Sequence, residues 1–258
     1  MFRGAITAIV TPFREDGNLD EDSLRGLVEF QVKNKIDGIV TCGTTGESPT
    51  LSHDEIKKVT EIIIDSSRRK VHVIASTGGY NTKEAIEATK TAGDIGADAS
   101  LQVCPYYNKP TQEGLFRHFS EIANAVDIPL VIYNIQGRTS VNLETSTLAR
   151  LADEHSNIVG VKEASGNIAQ MMDVISMLPK EFSVLSGDDN LTLPLMALGG
   201  KGVISVASNI IPNEMHELTD LALNGKFDKA KQLHYRFLPL FKGIFLETNP
   251  IPIKASLA

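Results

Sequence analysis

Eight short runs rich in β-branched and other apolar residues punctuate the chain, at positions 5–10, 38–42, 71–75, 99–103, 130–133, 158–162, 183–186 and 203–206. Several are nearly continuous apolar strings rather than alternating ones, which is how strands covered on both faces of a parallel sheet read. Amphipathic stretches of helical period fill the gaps, and most carry a recognisable start. Asp20-Glu21-Asp22 precedes residues 23–35, and Ser52-His53-Asp54-Glu55 forms a capping box ahead of residues 56–68. Asn81, Thr111, Asn142, Asn167 and the Asp188-Asp189 doublet stand in the equivalent place before residues 85–95, 114–126, 143–152, 168–178 and 190–198. Pro212 occupies the first turn of a helix over 213–223.

Strict alternation of strand and helix predicts an α/β fold. Eight units in about 225 residues match a (β/α)8 TIM barrel, whose usual size is ~250 residues. A doubly wound open sheet is the competitor, and it needs a nucleotide fingerprint that the sequence lacks. The catalytic barrel is therefore expected over residues 1–225. After Asn224-Gly225 the rhythm changes. Residues 227–245 have a long helical pattern, Thr248-Asn249-Pro250-Ile251-Pro252 breaks it, and residues 253–258 resume it for about one turn. Residues 226–258 read as a C-terminal helical segment that is cut short.

Composition narrows the function without changing the fold. Hydrophobic residues make up 42% and charged residues 22%, enough for a full core and too apolar for disorder. Acids outnumber bases by 32 to 25, and the net −7 argues against nucleic acid or an anionic membrane as the main partner. No window approaches the ~18 consecutive apolar residues of a membrane span, and the N-terminus lacks the order of a signal peptide. Cys42 and Cys104 are too few for a disulfide scaffold or a four-cysteine zinc site, and they read as buried thiols of a cytoplasmic protein. The six histidines form neither an HxH nor an HExxH pair, so no metal site is expected.

In a TIM barrel the chemistry sits at the C-terminal ends of the strands. The run 158–162 ends in Lys162, and by alternation Ile158, Gly160 and Lys162 share one face while Val159 and Val161 share the other. If the lysine face is the barrel interior, Gly160 leaves room beneath a long side chain, and a desolvated amine there can attack carbonyls. A strand-end lysine reaching solvent is the plain alternative. Tyr133, closing the run 130–133, is either a proton shuttle or a core aromatic with a satisfied hydroxyl. Arg138 in the loop that follows suits a bidentate grip on a carboxylate, or else is a solvated charge. Gly43-Thr44-Thr45-Gly46-Glu47-Ser48 offers two hydroxyls and two N–H groups to a small anion, unless it is an ordinary turn. Asp188-Asp189 reads as a helix N-cap rather than a metal site. Leu198-Gly199-Gly200-Lys201-Gly202-Val203 is either a phosphate-gripping loop or a tightly packed helix end.

These motifs, joined by Pro105-Tyr106-Tyr107-Asn108, Gly137-Arg138-Thr139, Lys162-Glu163-Ala164-Ser165-Gly166, Ser186-Gly187-Asp188-Asp189 and Gly202-Val203-Ile204-Ser205-Val206, run in order along essentially the whole chain. In that order they resemble the dihydrodipicolinate synthase family, among the Schiff-base pyruvate aldolases that include N-acetylneuraminate lyase. The resemblance implies a lyase condensing pyruvate with L-aspartate 4-semialdehyde to 4-hydroxy-tetrahydrodipicolinate, the first committed step of diaminopimelate and lysine biosynthesis. No cofactor is implied beyond the covalent imine. The resemblance gives imine formation to Lys162 and proton shuttling to Tyr133, linked through Thr44 to Tyr107 reaching in from a neighbouring subunit. It gives the pyruvate carboxylate to Thr44 and Thr45, the aldehyde's carboxylate to Arg138, and further substrate contacts to Gly187 and Ile204. It also implies a cytoplasmic homotetramer, a dimer of dimers. Thr44-Thr45, Asp188-Asp189 and Arg138 favour a small acidic aldehyde over the substrates of N-acetylneuraminate or 2-keto-3-deoxy sugar acid lyases. A related aldolase, or a non-catalytic relative that binds small acids, is the alternative.

Three features depart from the family pattern. Gln136 stands where a proline usually precedes the Gly-Arg pair, removing a φ-fixed support for Arg138. A lysine-feedback pocket is implied at Ser48, His53, Glu84 and Tyr106, but Tyr80 replaces an Asn and Ile56 a His, which implies a weakened response to lysine. The family's C-terminal helices also run well beyond Ala258.

Overall fold

The computed structural model describes all 258 residues. Eight parallel strands close into a barrel in sequence order: β1 (Gly4–Ala8), β2 (Gly38–Thr41), β3 (His72–Ser76), β4 (Ala99–Val103), β5 (Leu130–Asn134), β6 (Ile158–Glu163), β7 (Ser183–Ser186) and β8 (Gly202–Ser205), with β8 pairing back to β1. Helices α1 (Glu21–Lys33), α2 (His53–Ser67), α3 (Thr82–Asp94), α4 (Gln112–Ala125), a single turn α5 (Gln136–Thr139), α6 (Thr145–Glu154), α7 (Ile168–Met177), α8 (Thr192–Ala197) and α9 (Pro212–Leu223) connect them. Helices α10 (Phe227–Gly243) and α11 (Ile251–Ala255) follow the barrel. None is long and apolar enough to cross a membrane.

The apolar strings are continuous because both faces of each strand are covered. In β5, Val131 and Tyr133 point into the barrel with Ile6, Val40, Ile74, Leu101, Leu185 and Ile204, while Leu130 and Ile132 pack outward. Two outer layers share the helices. One joins Ile39, Val73 and Val203 to Val28, Ile63, Met215 and Phe241, and the other joins Ile132, Val161 and Val184 to Phe119, Leu151 and Val174. Most expected caps form: the Asp20, Asn81, Thr111 and Asn167 side chains accept first-turn amides, and Ser52 with Glu55 closes a capping box. Cys42 and Cys104 are free thiols sealed in the core, and burial pushes the Cys42 thiol up to about 12 and Cys104 further still.

Four local expectations are corrected. First, β6 does not alternate cleanly, because its register against β5 shifts between Leu130 and Val131. Ile158 joins the outer cluster and Val159 the inner one, yet Lys162, paired with Tyr133, still points inward. A bulge re-aims the strand by one residue. Second, Gly160 leaves no gap, since a Cβ there would lie 2.7 Å from the Ser183 carbonyl oxygen and 2.9 Å from its Cβ. Third, α6 starts at Thr145 rather than 143, because the Leu143 amide donates to Asn134 Oδ1 and the Asn142 side chain bonds Asn134 and Gln170 instead of capping. Fourth, Asp189 does not cap the helix that follows it. Its carboxylate accepts from Ser205 Oγ at 2.5 Å and from the Val206 and Ala207 amides at 3.0 and 3.1 Å, tying β7 to the end of β8. The glycine-rich 198–203 stretch is a tight helix end, with the Gly200 amide donating to the Leu195 carbonyl.

Candidate active site

A cavity opens at the C-terminal mouth of the barrel. Thr44, Thr45, Tyr133, Arg138, Lys162 and Gly187 line it together, brought from four strand ends and α5. Lys162 is 6% exposed, and its Nζ lies 4.0 Å from the centroid of the Tyr133 ring. That places a buried amine and a buried phenol side by side, the pairing that carbonyl condensation with proton transfer requires. The neighbouring residue Glu163 faces outward and is also buried. Its carboxylate accepts from the Ser165 amide at 2.7 Å and from Asn134 Nδ2 and Gln170 Nε2 at 3.2 and 3.4 Å, which fixes the strand end that carries the lysine.

Gly187 is required by contact. A Cβ there would lie 3.2 Å from Lys162 Cε and 2.5 Å from Ala164 Cβ, so β7 can end against the lysine stem only without a side chain. Asp188 follows it on the cavity wall. Burial raises its carboxyl above the ordinary range, with the nearby Lys162 charge pulling the other way.

The Gly43–Gly46 turn is pinned from outside: Glu47 N–H donates to the Thr44 carbonyl, Ser48 N–H to Gly43, and the Thr11 hydroxyl to Gly46. The Thr44 and Thr45 amides donate to nothing else in the chain, leaving two N–H groups for an anion. Arg138 sits on α5, mostly exposed, and its Nη2 donates to the Asn249 carbonyl at 3.1 Å.

Two of the implied residues do not line this cavity. Ile204 is fully buried in the barrel interior, packed beneath the site with Leu185 and Val40 rather than on its wall. Tyr107 is 86% exposed on the loop after β4, outside the cavity of its own chain. The residues of the implied feedback pocket do come together. Ser48, His53, Glu84 and Tyr106 line a separate cleft of about 700 Å³ between α2 and α3, with Ile56 and Tyr80 on the same wall. Tyr80 meets Tyr106 edge to face at 5.1 Å.

The C-terminal segment also enters the site. Phe245 and Asn249 line the cavity, and Asn249 Nδ2 donates to Thr45 Oγ1 at 2.9 Å. Lys254 on α11 donates to the Thr11 carbonyl and pairs with Glu47, and Ile253 is buried in an outer core layer. The only sequence signal was the helix break at residues 248–252, which marked a bend but not its contacts.

The family model described as Dihydrodipicolinate synthetase family matches residues 1–258. The chain is 57% identical over 258 residues to a 4-hydroxy-tetrahydrodipicolinate synthase of Syntrophobacter fumaroxidans, covering 100% of this chain and 88% of that relative. It is similar to the crystal structure of dihydrodipicolinate synthase from Aquifex aeolicus, with a TM-score of 0.97 at 50% identity, covering 99% of this chain and 87% of the other. Its TM-score is 0.98 at 46% identity against the chloride-inhibited dihydrodipicolinate synthase of Acinetobacter baumannii complexed with pyruvate, covering 100% of this chain and 88% of the other. With the barrel, the buried lysine beside a tyrosine and a match over its full length, the chain belongs to the dihydrodipicolinate synthetase family.

Proposed function

We propose that the protein condenses pyruvate with L-aspartate 4-semialdehyde to give 4-hydroxy-tetrahydrodipicolinate, feeding diaminopimelate and lysine synthesis in the cytoplasm. The observation that carries the reading is the buried Lys162 amine over the Tyr133 ring beside two unbonded threonine amides. Relatives at this level of identity bear the name of that activity, and one similar structure is titled as a pyruvate complex.

In this reading Lys162 Nζ adds to the pyruvate C2 carbonyl, and water leaves as the imine forms. The methyl carbon then loses a proton, with the electron pair drawn towards the iminium nitrogen, to give an enamine. The enamine carbon attacks the aldehyde carbon, a C–C bond forms, and the new alkoxide takes a proton. Finally the aldehyde's own amine adds to the imine carbon and expels Lys162, closing the ring. Tyr133 moves protons in these steps, through Thr44 towards Tyr107 supplied by a neighbouring subunit. The 44–45 turn holds the pyruvate carboxylate, and Arg138 takes that of the second substrate. The iminium itself is the electron sink, so the chemistry calls for no further cofactor. The second cleft is read as a feedback site that answers weakly to lysine, because Ile56 and Tyr80 give it an apolar and crowded wall.

Borohydride reduction in the presence of pyruvate tests the reading. A covalent adduct is expected on the peptide containing Lys162 and absent from Lys162→Ala. An adduct-free folded protein, or turnover retained by Lys162→Ala, would sink it.

A further inference from the structure

Asn249 stands where the two carboxylate-binding groups meet. Its side chain Nδ2 donates to Thr45 Oγ1, and its main-chain carbonyl accepts from Arg138 Nη2, so one residue touches both. The residue is 6% exposed, and its Oδ1 is buried without a partner.

A threonine hydroxyl has one hydrogen to give and two lone pairs to receive with. An amide N–H filling one lone pair leaves the hydrogen free, and no other group in the chain takes it from Thr45. With the amide turned round, Oδ1 would claim that hydrogen and an anion in the cavity would lose a donor. Resting on the reading that the 44–45 turn holds pyruvate, we propose that Asn249 is a positioning residue. Its side chain aims the Thr45 hydroxyl at the first carboxylate, while its main chain docks Arg138 for the second. The Arg138 contact gives this side chain a support from the C-terminal segment that Gln136, free in φ, does not supply locally.

The two halves separate experimentally, because a side-chain substitution removes the first contact and spares the second. Imine formation alone is read as the pyruvate concentration giving half-maximal borohydride inactivation. Asn249→Ala is expected to raise it about tenfold, as loss of one well-aimed hydrogen bond to a charged group does. The KM for aspartate semialdehyde should stay within about twofold, because the carbonyl remains for Arg138. In a Thr45→Val background, Asn249→Ala should add nothing further to the pyruvate requirement. Asn249→Asp should be worse than Asn249→Ala, since a carboxylate takes the Thr45 hydrogen and repels the substrate. An unchanged pyruvate requirement would overturn the proposal. So would parallel losses for pyruvate and aldehyde, the result of a merely misdocked C-terminal segment, or full additivity with Thr45→Val. If the unaltered protein forms no adduct at all, the Schiff-base reading fails first, and the proposal falls with it.

Discussion

Lys162 is held by what its neighbours lack. Gly187 gives the Lys162 stem its space, so Gly187→Ala should force a methyl against Cε and Ala164. The expected outcome is a kcat at least tenfold lower, with a stability loss of about 1–3 kcal/mol in urea melts. In the proposed mechanism Arg138 acts later than the lysine. Arg138→Ala should leave pyruvate imine formation near its normal half-saturation while kcat/KM for the aldehyde falls roughly 100-fold. Equal damage to both steps in a trapping assay would remove Arg138 from its role with the second substrate. Lys162, Tyr133, Thr44, Thr45 and Arg138 were legible in the sequence because strand ends and glycine turns bring chemistry to one end of a barrel, whereas Gly187 came only from the family resemblance. Asn249 was not, because nothing periodic marks a residue whose partners lie 204 and 111 positions away.

At the scale of elements, period-two reasoning gave the correct face for Lys162 by a wrong route. The bulge in β6 moves Ile158 and Val159 to faces opposite to those expected, and the strand recovers its phase before the lysine. Such a slip is invisible in an apolar string buried on both sides, where either face accepts the same residues. Polar residues near helix starts misled for a related reason: Asn142 and Asp189 are consumed by long-range partners, which local capping rules do not see. The α3–α4 contact carries a pH signature. His118 is buried, its Nδ1 bonded to the Thr82 hydroxyl and its Nε2 without a partner, and burial pushes its ring down to about 4. The unfolded ring takes a proton below ~6.5 and the folded one only below about 4. The stability contributed by the neutral ring is therefore complete above that range and lost as the pH falls through it. Between pH 7 and 5 the unaltered protein should lose about 2 kcal/mol more than His118→Phe, as read from urea midpoints.

For the molecule as a whole, alternation and length gave the closed eight-stranded barrel, because few architectures bury eight apolar strands joined by helices. Assembly is less legible, since a single chain leaves Tyr107 out in solvent with Tyr106 and Tyr80 exposed nearby. If Tyr107 completes a neighbour's proton path, sedimentation should give a tetramer, and Tyr107→Phe should lower kcat without lowering pyruvate capture. A monomer with full activity would contradict that role. The link from residue 249 back to residues 45 and 138 also bears on synthesis. By residue 205 the growing chain holds every strand and Lys162, but neither Thr45 nor Arg138, the proposed carboxylate-binding groups, has its contact with Asn249. A nascent barrel thus carries an amine that it cannot yet present with a firm grip on its substrates. On the proposed reading, competence arrives with the segment that carries Asn249, so pyruvate capture reports that this segment has docked and not merely that the barrel has closed.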